Sequence, residues 1–96
     1  MIASSVKDVQ EILEEYGIKT EVVGRTILVF PQKVEEFRLR FPDTFIAQTK
    51  YYRVYLHPES IMVITSYAVI PIKLEKLAIL EAEEKNNALY VYFTLL

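Results

Sequence analysis

The chain of 96 residues contains no cysteine and only two glycines, Gly17 and Gly24. Without cysteine, disulfides, thiolate metal sites and cysteine nucleophiles are all excluded. Two isolated glycines cannot build a glycine-rich phosphate loop or a dinucleotide-binding fingerprint, because both motifs need several glycines at short spacing. These absences remove several large classes of enzyme.

Long apolar runs are also missing from the sequence. No stretch approaches the roughly 18 consecutive apolar residues that a transmembrane helix needs. The N-terminal MIASSVKDVQ lacks the basic region and apolar segment of a signal peptide. We therefore expect a cytoplasmic protein that does not associate with membranes.

Charge of either sign is moderate, and apolar residues are plentiful. Eleven basic residues stand against thirteen acidic ones, for a formal net charge of −2. Because Lys and Arg supply most of the affinity for phosphate, this balance disfavours nucleic-acid binding without excluding a local basic patch. With 52% hydrophobic residues, the chain can build one core, so residues 1–96 are predicted to form a single domain.

The most apolar segment is SIMVITSYAVIP, from Ser60 to Pro71. Read as a strand, both of its alternating sets of side chains are predominantly apolar. A strand that is apolar on both faces is typical of the centre of a sheet, where each face is covered. The remaining elements are therefore expected to pack around this strand.

The other predicted elements follow from periodicity and from the positions of glycine and proline. The region up to Phe30 predicts a helix from Ser5 to Tyr16 that ends at Gly17, then a hairpin of Ile18–Val23 and Thr26–Phe30 around Gly24-Arg25. Further along, the pattern predicts a helix Pro31–Phe41, a strand Thr44–Leu56, a turn at His57–Ser60, a helix Pro71–Asn86 and a strand Ala88–Leu95.

Two segments 40 residues apart, Thr26–Phe37 and Ser66–Leu77, share a valine, a proline, a lysine and a glutamate at matching positions. Each predicts a strand, a proline-initiated helix and a strand. The predicted fold is α+β, with a mostly antiparallel sheet of four to five strands, packed helices and the element order αβ-βαβ-βαβ. A ferredoxin-like topology is favoured, with residues 1–25 as a helix-strand extension and residues 26–96 as a βαββαβ core.

The predicted hairpin conflicts with that topology. It places Ile18–Val23 against the first strand of the repeat, which a ferredoxin-like sheet already flanks with two neighbours. Ile18–Val23 could displace the last strand, lie inserted beside it, or not form the hairpin. The sequence leaves these three alternatives open.

No group of residues predicts catalysis. His57 is the only histidine, and it stands alone in a predicted turn without the partners that acid–base chemistry or metal binding requires. The nuclease-like Glu83-x-Lys85 falls in a predicted helix, where Glu81 and Lys85 would form a favourable ion pair. We therefore expect a protein that is not an enzyme and binds neither a metal nor a cofactor.

Tyrosine is the unusual feature, with seven copies, six of them in predicted strands. One predicted sheet face comprises Tyr51, Arg53, Tyr55, Val63, Tyr67, Tyr90 and Tyr92. Such a face suits the interface of a homodimer or of a complex with another protein. The alternative is a platform on which single-stranded nucleic-acid bases stack. A third interpretation is that tyrosine simply favours strands and the first helix covers the face.

Overall fold

A computed structural model describes residues 1–38 and 45–96. These residues form one helix and ten strands. The bounds are β1 Ile2–Ala3, α1 Val6–Glu15, β2 Glu21–Val23, β3 Ile27–Phe30, β4 Val34–Phe37, β5 Phe45–Thr49, β6 Tyr52–His57, β7 Ser60–Thr65, β8 Val69–Leu74, β9 Leu77–Lys85 and β10 Ala88–Leu95.

The strands form two sheets. Sheet A has six strands in the order β1-β8-β7-β6-β5-β4, and sheet B has four in the order β2-β3-β10-β9. Among the described strands only β1 and β8 pair in parallel. The predicted α+β fold with a ferredoxin-like sheet of four to five strands is therefore wrong. The chain is mostly sheet.

The predicted first helix is observed as α1, and its ends explain its length. Ser5 caps the start, and its hydroxyl accepts the Asp8 N–H at 3.1 Å. Gly17 follows the last turn with φ +77°, and the Ile18 N–H donates to the Leu13 carbonyl at 3.0 Å. This αL ending satisfies carbonyls that would otherwise lack partners.

The two predicted proline-initiated helices are strands instead. Pro31–Phe41 contains β4, and its last three residues lie outside the described part of the chain. Pro71–Asn86 contains most of β8 and all of β9. Lys, Glu, Ala and Leu favour helices in isolation, but pairing with neighbouring strands overrides such weak local preferences.

A bulge in β9 explains why this strand resembles a helix in sequence. The pairing with β10 shifts between Tyr92 and Phe93, so that Leu80 has no direct partner. Inward-facing positions before and after the bulge are Ile79 and Ala82, which are three residues apart. An extra residue in a strand interrupts the alternation of inward-facing side chains, so that two of them are three residues apart instead of two. A spacing of three residues also occurs along one face of a helix, which is why this strand resembles a helix in sequence.

The predicted central strand is a hairpin of β7 and β8, which pair in antiparallel. Thr65 makes the turn: its hydroxyl accepts the N–H groups of Tyr67 and Ala68 at 3.2 and 2.9 Å. Thr49 does the same between β5 and β6, where its hydroxyl accepts the Tyr52 N–H at 3.1 Å. Because threonine side chains replace the usual glycine or proline, neither turn was predicted from the sequence.

Both sheets and α1 share one hydrophobic core. Its largest fully buried side chains are Phe30, Leu13, Leu28, Ile46, Leu56, Ile61, Ile70, Ile72, Leu77 and Leu89. The predicted hairpin is observed as β2 and β3, but its loop has three residues instead of the predicted Gly24-Arg25, because Val23 pairs with Ile27, and its first strand begins at Glu21 instead of Ile18. Sheet B therefore combines a strand from residues 1–25 with strands from later in the chain, and the predicted βαββαβ core of residues 26–96 does not exist.

Candidate binding surface

The outer face of sheet A is the side of β6, β7 and β8 that points away from the core. Strand register arranges its side chains in three rows. The first row is Val69, Ile64 and Arg53, the second row is Pro71, Met62 and Tyr55, and the third row is Lys73, Ser60 and His57. The residues between them in sequence, such as Val54 and Val63, are buried in the core.

The second row is apolar across all three strands. Met62 is 36% exposed and lies between Pro71 and Tyr55, while Val69 in the first row is 59% exposed. Antiparallel sheets that face water on one side usually place polar residues there. The contiguous apolar strip therefore makes this outer face the candidate interaction surface.

Pro71 can occupy this sheet because its nitrogen faces a position without a partner strand. The Lys73 N–H donates to the Met1 carbonyl at 2.8 Å, so it points towards β1. Because backbone N–H groups along a strand point alternately to its two neighbours, the Pro71 nitrogen, two residues before Lys73, points to the same side. β1 pairs only with Lys73 and Leu74 and does not extend that far. Proline thus ends the pairing without costing a hydrogen bond.

The third row presents hydrogen-bond donors. Ser60 lies between Lys73 and His57. His57 Nδ1 accepts the Glu59 N–H at 3.3 Å, which leaves Nε2 to carry the proton in the neutral ring. An ammonium, a hydroxyl and an imidazole N–H therefore lie side by side on adjacent strands.

A groove of about 450 Å³ runs along the second and third rows. Its lining residues are Met1, Tyr55, Leu56, His57, Ser60, Ile61, Met62, Pro71, Ile72 and Lys73. The volume falls in the range of small-molecule sites. Apolar side chains form most of its walls, and the third row provides polar groups.

The structure brings three of the predicted face residues together on sheet A. Arg53 and Tyr55 belong to the outer face, and Tyr51 lies in the adjoining β5–β6 turn, 62% exposed. The Lys50 Nζ lies 5.6 Å from the Tyr51 ring centroid. Val63, by contrast, is fully buried in the core and is not part of any face.

The other three predicted face residues do not lie on the outer face of sheet A. Tyr67 is in the β7–β8 turn, where its hydroxyl donates to the Tyr16 carbonyl at the end of α1, and it lines a pocket of about 250 Å³ together with Tyr51. Tyr90 and Tyr92 are on the outer face of sheet B, paired with Glu83 and Glu81 respectively. The seven residues therefore do not share one sheet face, because β10 and β6 belong to different sheets.

The outer face of sheet B is acidic around its tyrosines. The Tyr92 hydroxyl donates to Glu83 Oε1 at 2.5 Å, and this hydrogen bond raises the pKa of Tyr92 to about 12. The Lys85 Nζ lies 5.6 Å from the Tyr90 ring centroid. Carboxylates beside both rings would repel nucleic-acid phosphates, so this face does not suit base stacking.

No catalytic group is assembled from the residues singled out in the sequence. Glu83 and Lys85 lie on a strand, and the only described salt bridge, Arg38 with Glu36, does not involve the predicted pair of Glu81 and Lys85. No group of three acidic or histidine side chains in residues 1–38 and 45–96 could hold a metal. The one helix in residues 1–38 and 45–96, α1, lacks the length and apolarity needed to span a membrane.

Sequence reasoning missed Met62, Ile64, Val69 and Pro71 as surface residues. The signal was present, since Met62 and Ile64 belong to the second apolar set of the predicted central strand. Both faces of that strand were expected to be covered. In the structure, α1 and both sheets meet at the other face, and no described element covers these side chains.

Comparisons of the chain with protein-family models, with curated proteins and with solved structures find no match in any of the three.

Proposed function

We propose that this protein is a non-enzymatic binding protein that self-associates as a homodimer through the outer face of sheet A. The observation that carries the proposal is the apolar second row with its apolar neighbours Ile64 and Val69. Burial of apolar surface is the main favourable term in association. Cytoplasmic location remains a prediction alongside this function.

The size of the face supports a dimer. The three strands of this face, β6, β7 and β8, have six residues each and are spaced by about 4.8 Å, so they cover roughly 15 by 20 Å, or about 300 Å² in projection. Side chains that stand out of this plane add accessible area. A standard interface buries about 800 Å² on each partner, which is of the same order.

The arrangement of charge also supports a dimer. Arg53 stands at one corner of the three rows and Lys73 at the diagonal corner, on β6 and β8. The apolar second row passes between them. An apolar centre with charges at the rim is the usual anatomy of a protein interface, because rim charges keep their water.

The alternative of single-stranded nucleic-acid binding requires the predicted tyrosines to lie on one sheet face, and they do not. Tyr51 and Tyr55 are with Arg53 on one sheet, but Tyr90 and Tyr92 are on the other, beside carboxylates. Self-association uses residues that the structure places together. It is therefore the function that we propose.

The first test is light scattering on the wild type and on Met62→Lys, with Val23→Lys as the matched control. Val23 is an exposed strand residue of sheet B, 48% exposed. We expect the wild type and Val23→Lys to be dimers. Met62→Lys should weaken association roughly a hundredfold or more, because burying an unpaired charge costs about 3 kcal/mol or more.

Circular dichroism checks that each variant keeps its sheet content. A wild type that is monomeric at hundreds of micromolar would contradict the proposal. Equal weakening of association by Met62→Lys and Val23→Lys would also contradict it, because the two positions lie on different sheets.

A further inference from the structure

The groove on the outer face of sheet A combines an apolar row with a row of donors. The second row supplies Pro71, Met62 and Tyr55, and the third row supplies Lys73 and Ser60. Rows two residues apart along a strand are separated by about 7 Å. A ligand that satisfies both rows therefore has a polar head and an apolar body.

The charge of the third row indicates the sign of that head. Lys73 is exposed and makes no ion pair with any carboxylate in residues 1–38 and 45–96. The carboxylates closest to the row in sequence, Glu59 and Glu75, do not line the groove. Ser60 on β7 and His57 on β6 add donors to the same row. The head that this row fits is an anion.

We propose that the groove binds an amphiphilic carboxylate, in the simplest case a medium-chain fatty acid. The carboxylate accepts hydrogen bonds from the third row, with Lys73 providing the charge. The hydrocarbon chain lies on Pro71, Met62 and Tyr55 and reaches towards Ile64, about 13 Å from Ser60 along β7. Small-molecule sites commonly pair apolar walls with a few such polar groups.

This inference has a consequence that rests on the proposed function. The second row lies at the centre of the proposed dimer contact, and a bound chain covers the same side chains. Carboxylate and second copy therefore compete for one surface. Saturating ligand is expected to convert the dimer to monomers, because it binds only the open face.

Binding is tested by nuclear magnetic resonance titration of Val69→Glu, a variant designed to be monomeric because it places an unpaired charge in the proposed dimer contact. Val69 is in the first row and does not line the groove, and a negative charge there cannot attract the carboxylate. Decanoate should bind saturably below its micelle concentration and shift the amide signals of residues 57–62 and 71–73. Decanol, which has the same chain without the charge, should bind at least tenfold more weakly. Equal binding of the two compounds would overturn the assignment of a carboxylate.

The charge is tested by Lys73→Gln, made in the Val69→Glu background. We expect decanoate affinity to fall about tenfold, as is typical of losing one charge-assisted hydrogen bond. Lys7→Gln is the control, because Lys7 is an exposed residue of α1. An unchanged affinity in Lys73→Gln, or an equal loss in the control, would overturn the role of the third row.

Light scattering of the wild type with decanoate separates this inference from the proposed function. A dimer that does not bind decanoate overturns the inference and leaves self-association intact. A wild type that is monomeric but binds decanoate overturns self-association and leaves the ligand site intact. A dimer that persists at saturating decanoate overturns the competition.

Discussion

Tyr52 is the residue with the least expected environment. Its ring packs against Phe30 with centroids 6.0 Å apart, so it joins sheet A to sheet B. Its hydroxyl is buried and has no hydrogen-bond partner among the described residues. Burial raises the pKa of this phenol because the charged form would lose its water.

Tyr52→Phe should stabilise the fold. The substitution keeps the ring contact with Phe30 and removes a hydroxyl whose burial without a hydrogen-bond partner is unfavourable. The free energy of unfolding should therefore rise by roughly 1 kcal/mol. Urea denaturation measures this change. Tyr67→Phe is the control. Its free energy of unfolding should fall by up to about 1 kcal/mol, because the Tyr67 hydroxyl donates to the Tyr16 carbonyl. A marked loss of stability in Tyr52→Phe would mean that its hydroxyl has a partner.

Tyr92 should titrate late because of Glu83. The hydrogen bond to the Glu83 carboxylate, followed by burial and by the charge of Glu83, raises the Tyr92 pKa from 10.0 to about 12. Since the folded state holds the phenolic proton more tightly, its stabilising effect is present below pH 10 and lost as the pH rises towards 12.

The ring carbon signals of Tyr92, followed by nuclear magnetic resonance against pH, measure this pKa directly. Glu83→Gln should lower it towards 10, the ordinary value, because the acceptor charge is removed. Lys7→Gln should leave the Tyr92 pKa unchanged. A Tyr92 pKa near 10 in the wild type would show that the hydrogen bond does not persist in solution.

At the scale of elements, β9 is a nine-residue edge strand, and β10 is its only partner among the described strands. Long edge strands invite pairing with other chains. The first half of β9 is protected, because the Ile79 N–H donates to the Pro58 carbonyl at 2.7 Å. The second half carries Glu81, Glu83 and Glu84. We infer that these charges protect the second half of the edge strand.

Removing charge from this edge should promote aggregation. Glu81→Gln with Glu84→Gln should increase thioflavin fluorescence and light scattering during incubation, because opposed carboxylates no longer repel a second β9. The control is Glu11→Gln with Glu14→Gln on the exposed face of α1, which changes the net charge equally. Aggregation in both variants alike would assign the effect to net charge instead of to the edge.

At the scale of the whole molecule, the two sheets present outer faces of opposite character. The outer face of sheet A is apolar with Arg53 and Lys73 at its corners, and that of sheet B is lined by tyrosine and glutamate. The net charge of −2 hides this division. The closed dimer that we propose through sheet A would bury the apolar face and leave the acidic face in water.

The sequence by itself determined the features that depend on a few neighbouring residues. The first helix, its end at Gly17 and a hairpin at Gly24 were predicted and are observed, although the hairpin loop is one residue longer than predicted. Asn86 and Asn87 lie at the predicted end of an element and adopt positive φ, at 53° and 62°. These outcomes follow from side-chain hydrogen bonding and from local steric limits on φ, which do not depend on the rest of the fold.

Only the tertiary structure decided which elements those residues join. Asn86 and Asn87 turn a hairpin between β9 and β10, where the sequence predicted the end of a helix. Helical propensity around Leu77–Lys85 is worth tenths of a kcal/mol per residue, while strand pairing buries Leu77, Ile79 and Ala82. The candidate surface on the outer face of sheet A also depends on tertiary packing. The apolar strip exists because β7 and β8 bury Val63 and Ile70 and turn Met62 and Pro71 outward, and that choice of face is set by the packing of two sheets that are distant in sequence.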